Sequence, residues 1–390
     1  MSKPAATLWA TDKSLAVKLG YNPYCRTIKA KQAGMVNVEG CDCIDFASND
    51  YLGLACDKRV KQAMVEALDC YGASMCGTPV AVGGCHPLRE LESRFASFIG
   101  LEETVVFPTG YQANLSIFSA LADPDDLVLI DHYAHASLIQ GAQCSRAVMK
   151  PFLHNNMAHL EKMLLKSSAH PRRFVVTESV FSTSGTLAPL DEIIELCRRY
   201  DAIPVIDDSH GIGVIGENGR GGLEEFEIKD FTGIYTASLG KALGGQGGAV
   251  SASHDIIDYL RYSCPGLIYS TGLTPAAAAG VLAGLEIVER EFWSLAKRLW
   301  ENKALVCSAL LVSGFSVADG QAPIISLPCG SAEQTIRMAK QLHLASIFTT
   351  PFIPPSVPTG KGCVRMIAGA GVDDESMARA LQAFANLTEC

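Results

Sequence analysis

Lys241 lies in Ile234-Tyr-Thr-Ala-Ser-Leu-Gly-Lys-Ala-Leu-Gly-Gly, behind an apolar, β-branched run and among Ser238, Gly240, Gly244 and Gly245. A lysine at a strand-to-loop exit among small residues can approach a bound molecule closely. Its amine can form a Schiff base once its surroundings lower its pKa. Upstream, Ala202-Ile-Pro-Val-Ile-Asp-Asp-Ser-His-Gly is a short hydrophobic strand that ends in Asp207, with His210 in the loop that follows. An aspartate at the C-terminal end of a buried strand lies where open α/β sheets bind ligands. Pyridoxal phosphate (PLP) chemistry needs this pair: a lysine for the aldehyde, and a carboxylate that keeps the pyridine nitrogen protonated so the ring can accept electrons from a carbanion.

Further residues fit the same site. Phe107-Pro-Thr-Gly-Tyr-Gln-Ala-Asn joins a strand to a helix start with Gly110 at the bend and Tyr111 beside it. Free backbone N–H groups and the positive end of the helix dipole make such a junction an anion site suited to a phosphate. Asp131-His-Tyr-Ala-His-Ala-Ser also begins at a strand end. His135 can stack on a planar ring, His132 and His135 can ligate a metal, or both can be structural; the residues alone leave all three open. Two motifs compete. Gly211-Ile-Gly-Val-Ile-Gly matches a dinucleotide fingerprint, but Asp207, Asp208 and His210 precede it and a glycine-rich loop, not a helix, follows. Asp207, Asp208 and His210 also resemble metal ligands, a reading that gives Lys241 no purpose, and the expected metal content is none.

The elements that must position these residues read as an α/β alternation. Strands are predicted at 104–107, 127–131, 174–177, 203–207 and 233–237, and helices at 111–121, 135–142 and 191–200, which implies a mostly parallel sheet covered on both faces. Helical apolar spacing recurs at Val60, Met64, Ala67 and Leu68, and again at Leu88, Leu91, Phe95 and Phe98 behind Pro87. The expected division is an N-terminal helix and arm over 1–45, a large domain over 46–285, and a smaller α/β domain over 286–390 that opens with a long amphipathic helix.

At 390 residues, 48% of them hydrophobic, the chain can bury a sizeable core and exceeds what one core usually serves. A net charge of −9 argues against nucleic acid or an anionic membrane as the main partner. No secretory signal and no apolar stretch long enough for a bilayer are visible, so a cytoplasmic protein is expected. The 14 cysteines are scattered, with Cys41 and Cys43 the only close pair and no C-x-x-C, so they read as reduced and mostly buried small hydrophobes.

Together, Ser48-Asn-Asp-Tyr-Leu-Gly-Leu, Thr109-Gly-Tyr-Gln-Ala-Asn, His135-Ala-Ser, Thr177-Glu-Ser-Val-Phe-Ser, Asp207-Asp-Ser-His-Gly, Gly216-Glu-Asn-Gly-Arg-Gly, Ser238-Leu-Gly-Lys and Tyr269-Ser-Thr resemble the α-oxoamine synthases of PLP fold type I, in that family's order. That family includes 8-amino-7-oxononanoate synthase, 2-amino-3-ketobutyrate CoA ligase, 5-aminolevulinate synthase and serine palmitoyltransferase. The resemblance implies a homodimer with its active site at the subunit interface, amino acid and acyl-CoA as substrates, and their condensation with release of CoA and usually CO2. It implies that Lys241 binds PLP and moves the α-proton, Asp207 pairs with the pyridine nitrogen, His210 meets the ring oxygen and His135 stacks on the ring. Gly110, Tyr111 and Ser238 would hold the phosphate, joined by Thr271 from the second subunit. Glu178 and Ser182 would lie near the acyl carbonyl, Ser182 also touching the cofactor, and Asn49 and Arg365 would receive the substrate carboxylate.

The chain departs from the family pattern where many members carry a histidine before Leu91-Glu92: here stands Leu88, with His86 nearby. Pro151-Phe-Leu-His-Asn-Asn and Phe181-Ser-Thr-Ser-Gly-Thr-Leu-Ala-Pro-Leu resemble the autoinducer branch, which makes long-chain signals, whereas Ser-Leu-Gly-Lys-Ala-Leu-Gly-Gly is nearer the ligase and oxononanoate branches. The expected acyl chain is medium or long. The alternatives are another fold type I enzyme such as an aminotransferase, or a non-catalytic paralogue that serves as a partner subunit.

Overall fold

The computed structural model describes residues 14–388. Of the expected N-terminal helix, Ser14–Leu19 is present and the preceding residues lie outside the described range. Three strands form the arm: β1 (Ile28–Gln32), β2 (Met35–Val38) and β3 (Cys41–Asp45). Seven build the central sheet: β4 (Glu103–Phe107), β5 (Leu127–Asp131), β6 (Val148–Phe152), β7 (Arg173–Glu178), β8 (Ile203–Asp207), β9 (Ile234–Ser238) and β10 (Gly248–Ala252). Four follow: β11 (Ile325–Gly330), β12 (Ile347–Phe348), β13 (Thr350–Phe352) and β14 (Gly362–Met366).

The central order is β4-β10-β9-β8-β7-β5-β6. From β9 to β6 all pairings are parallel, and β10 runs antiparallel to both β4 and β9. The alternation predicted the parallel part, while β6 and β10 escape a sequence reading. β6, at the edge of the sheet, tolerates Pro151 and leaves Val148, Lys150 and Pro151 exposed. β10, Gly-Ala-Val-Ser-Ala, has small residues that mark no strand by themselves. Pro204 sits in central β8 without harm because the ladder to β9 begins only at Val205 opposite Ile234.

Alternate strand residues feed two cores. Val106, Leu129, Val175, Ile206, Tyr235 and Ala249 face one side, with Leu91 and Phe95 of the helix His86–Ile99 and Leu285 and Val288 of a long helix. Val105, Val128, Phe174, Val205 and Val250 face the other, with Ile117 and Leu138 from helices Gly110–Leu121 and Ala136–Cys144. Each such aliphatic side chain contributes about 1.5–3 kcal/mol on full burial. In the helix Lys58–Tyr71, Val60 and Ala67 are buried, but Leu68 is 44% exposed, so the apolar stripe is narrower than its spacing implies.

The long helix runs from Pro275 to Val312, capped by Thr274, whose hydroxyl accepts from Ala277 N, with proline at its first position. It starts earlier than expected and passes unbroken through position 285. Beyond it, β11-β14-β13 form an antiparallel sheet that packs on Ala332–Leu344 and Asp374–Phe384. β12 pairs in parallel with β3, tying the arm to this lobe. No helix among the described residues is long and apolar enough to cross a membrane, and the described cysteines are free thiols.

Candidate active site

Parallel pairing collects the chemistry at one edge. Glu178 and Asp207 end neighbouring strands in register, and Thr236 stands opposite Asp207 on the next. Asp131 ends β5, Ser238 ends β9, and Lys241 lies in the turn that follows β9. This is the carboxyl edge at which open α/β sheets bind ligands.

Asp207 is buried and firmly held. One oxygen accepts from Asn114 Nδ2 at 2.6 Å and the other from Ser209 N at 2.9 Å. Asn114 also donates to Ser137 Oγ at 2.9 Å and accepts from Thr236 Oγ1 at 2.9 Å, and Ser137 Oγ lies 2.7 Å from His135 Nδ1. Asp207 and His135 are thus joined through two polar side chains. His135 keeps an exposed ring, which Tyr111 meets edge-on at 6.3 Å, and the protein packed around it lowers its pKa.

Burial pushes the Lys241 amine down to about 8, assisted by the Arg365 charge and opposed by the Asp207 and Glu178 carboxylates. A desolvated lysine near pH neutrality is a usable nucleophile and base. Glu178, fully enclosed, is pushed well above the carboxylate range by burial first and then by Asp207 and Asp131, with Lys241 opposing. Beneath them, Asp208 accepts from Tyr235 OH at 2.8 Å, Gly222 N at 2.9 Å and Ser179 Oγ, and burial raises its pKa to about 7. His210 is buried, with Nδ1 2.7 Å from Tyr51 OH, and its pKa falls well below the ordinary value.

Gly110 opens its helix behind Thr109, whose hydroxyl accepts from Gln112 N at 3.1 Å. A Cβ on Gly110 would stand 3.0 Å from that of Ser238, and one on Gly248 would come within 2.5 Å of the Gly110 Cα. These close approaches set the helix N-terminus directly against the Ser238 turn, where the first-turn N–H groups have no intrahelical acceptors.

Arg365 is buried on β14. Its Nη1 donates to the Ser182 carbonyl at 3.2 Å and its guanidinium lies 4.9 Å from the Phe352 ring centre. Burial lowers its pKa, and it forms no ion pair with a carboxylate among the described residues. Asn49 Oδ1 is buried without a hydrogen-bond partner among the described residues.

The structure therefore brings together Lys241, Asp207, Glu178, His135, His210 and Arg365, and joins Gly110 to Ser238 and Ser182 to Arg365. Tyr111 is peripheral, its hydroxyl bonded to Gln140. Thr271 is exposed, and nothing in the described chain ties it to Lys241 or Asp207. No cluster of metal-ligating side chains occurs among the described residues. Tyr51, Asn114, Ser137, Ser179, Asp208, Ser209 and Tyr235 all support the site and carried no assigned role in the sequence. All of them lie within motifs the sequence displays, and Asn114 stands one helical turn after Gly110 and so on its face.

The family model described as aminotransferase class I and II matches residues 41–384. A serine palmitoyltransferase of Bacteriovorax stolpii is 34% identical over 363 residues, covering 93% of this chain and 86% of that protein. An 8-amino-7-oxononanoate synthase of Geobacter sulfurreducens is 36% identical over 363 residues, covering 93% of each. Among solved structures, serine palmitoyltransferase from S. paucimobilis with a bound PLP–myriocin aldimine superposes with a TM-score of 0.93 at 26% identity, covering 98% of both chains. With its lysine, paired carboxylates and strand-end geometry in place, the chain belongs to the aminotransferase class I and II family and, within it, to the α-oxoamine synthases.

Proposed function

We propose that this protein is a PLP-dependent acyltransferase that condenses an amino acid with an acyl-CoA, releasing CoA and usually CO2 to give an α-aminoketone. The observation that carries the reading is the Lys241 amine, pushed down to about 8 and flanked by the Asp207 and Glu178 carboxylates.

The residues present suit the cofactor. Lys241 offers a nucleophilic amine, Asp207 a rigidly held acceptor, Gly110 backbone N–H groups at a helix start with the Ser238 hydroxyl beside them, and His135 an open ring face. Arg365, which forms no ion pair among the described residues, suits a carboxylate, and the buried Asn49 Oδ1, an acceptor without a hydrogen-bond partner among them, suits a donor such as an amino group. Bound PLP supplies an aldehyde that takes up an amino group and a ring that accepts electron density from the α-carbon.

In this reading Lys241 Nζ, whose lowered pKa makes the uncharged amine accessible near neutral pH, takes the α-proton and later returns one. Asp207 stays hydrogen-bonded to Asn114 and Ser209, and so keeps its orientation toward the pyridine nitrogen. His210 would donate to the ring oxygen, His135 would stack on the ring, and Gly110, Tyr111 and Ser238 would hold the phosphate. Arg365, fixed by Ser182 and Phe352, orients the amino acid carboxylate with Asn49. Glu178, its pKa raised by enclosure, would lie near the acyl carbonyl, with Ser182 beside it. A cytoplasmic homodimer that supplies Thr271 from the second subunit completes the reading; exposed Val80, Val82, Tyr262 and Tyr269 support such an interface.

The test is a matrix of glycine, alanine, serine and 2-aminobutyrate against short to long acyl-CoAs, reading free CoA thiol. Release that requires both substrates is expected, with medium or long chains preferred. Amino transfer to a keto acid without CoA release would replace this reading with an aminotransferase.

A further inference from the structure

Tyr51 follows the arm in the segment Ser48-Asn-Asp-Tyr and reaches the site from the far side of the sequence. Its side chain is fully buried, and among the described residues its hydroxyl has one hydrogen-bond partner, His210 Nδ1 at 2.7 Å. The rings meet edge-on, 6.1 Å apart at 87°. Burial raises the Tyr51 hydroxyl pKa and lowers that of His210, which Lys241, Arg365 and His135 depress further. Both partners are therefore neutral, and the contact can be made in two ways.

If the imidazole proton sat on Nδ1 and the phenol accepted it, the phenol proton would be left unmatched in a fully buried place, at about 1–3 kcal/mol. If the phenol donates, no buried donor is stranded. The imidazole proton then resides on Nε2, which makes no hydrogen bond to a described residue but is not fully enclosed, so it can donate to a bound molecule.

We infer that Tyr51 is a positioning residue that locks His210 as its Nε2–H tautomer, so that His210 presents a hydrogen-bond donor to a ligand oxygen. Only the identity of that oxygen, the cofactor ring oxygen, rests on the function proposed above. The tautomer itself is a property of this chain.

The test uses protein labelled with ¹⁵N-histidine, with two-bond ¹H–¹⁵N correlations recorded without and with added PLP. The His210 signals are identified by their loss in His210→Asn. Wild type should show the Nε2–H pattern in both states. Tyr51→Phe, which keeps the ring, should populate the Nδ1–H form, and its PLP dissociation constant should rise by about two- to tenfold, the loss of a single ordinary hydrogen bond. Nδ1–H in wild type would overturn the inference without need of any variant. So would Tyr51→Phe with His210 still wholly Nε2–H, or with a shifted tautomer but unchanged PLP affinity. Failure of wild type to bind PLP while the Nε2–H pattern persists would instead sink the cofactor assignment alone.

Discussion

The pKa of Lys241 is the quantity on which the proposed chemistry turns. Burial and the Arg365 charge pull the amine from 10.5 down to about 8, against the upward pull of Asp207 and Glu178. At pH 7.5 a lysine of pKa 8 is about one quarter uncharged, against about one part in a thousand for an unperturbed one, roughly a 240-fold gain in reactive amine. The perturbation is pH itself, from 6.5 to 10. The assay mixes protein with PLP, traps the adduct with borohydride at short times, and measures the labelled Lys241 peptide by mass spectrometry. The initial rate should rise with pH and level off with a midpoint near 8. Two substitutions check the sign. Arg365→Gln removes a repelling charge and should move the midpoint up; Asp207→Asn removes an attracting carboxylate and should move it down. A wild-type midpoint above about 9.5 would show an ordinary solvated lysine and refute the reasoning.

Lys241→Ala should abolish CoA release and covalent PLP capture while circular dichroism and the melting temperature stay near wild type; residual turnover above background would remove Lys241 from its role. Arg365→Gln should raise the amino acid KM by about 10- to 100-fold with a smaller change in kcat, as loss of a charge-assisted pair predicts; an unchanged KM would place the carboxylate elsewhere. Gly248→Ala drives a Cβ toward the Gly110 backbone and should cost about 1–3 kcal/mol in urea denaturation, with weakened phosphate binding. Asp208, raised to about 7 from 3.8, binds its proton more tightly in the folded state, so its contribution is fully present at low pH and lost as pH rises through that window. The stability of wild type relative to Asp208→Asn should therefore shrink between about pH 4 and pH 7; a margin that grows with pH would refute the assignment.

Much of the fold was legible because it is written in local patterns. β8 is a hydrophobic run that ends in an acid, the helix at Gly110 announces itself by Thr-Gly after a strand, and the stripe Leu88, Leu91, Phe95, Phe98 has the helical period. β10 and β6 were not legible, since their small or proline-bearing sequences become strands only by pairing with neighbours distant in the chain. The exposed Leu68 shows the same limit: spacing identifies the helix but not the width of the face that another element covers.

By its own order, the sequence determines an alternating α/β chain with a lysine, an aspartate and a histidine at strand ends, because covalent connectivity and residue periodicity are enough to specify those. It also determines the family, through several motifs that occur in sequence. What only the tertiary structure decides is the state of those groups. Asp207 becomes a fixed acceptor through Asn114, 93 residues away, and His210 receives its partner from Tyr51, 159 residues away. Lys241 becomes a neutral-pH amine because packing strips its water and sets Arg365, Asp207 and Glu178 around it. Desolvation and Coulomb forces depend on distance in space, and no spacing along a chain encodes them directly.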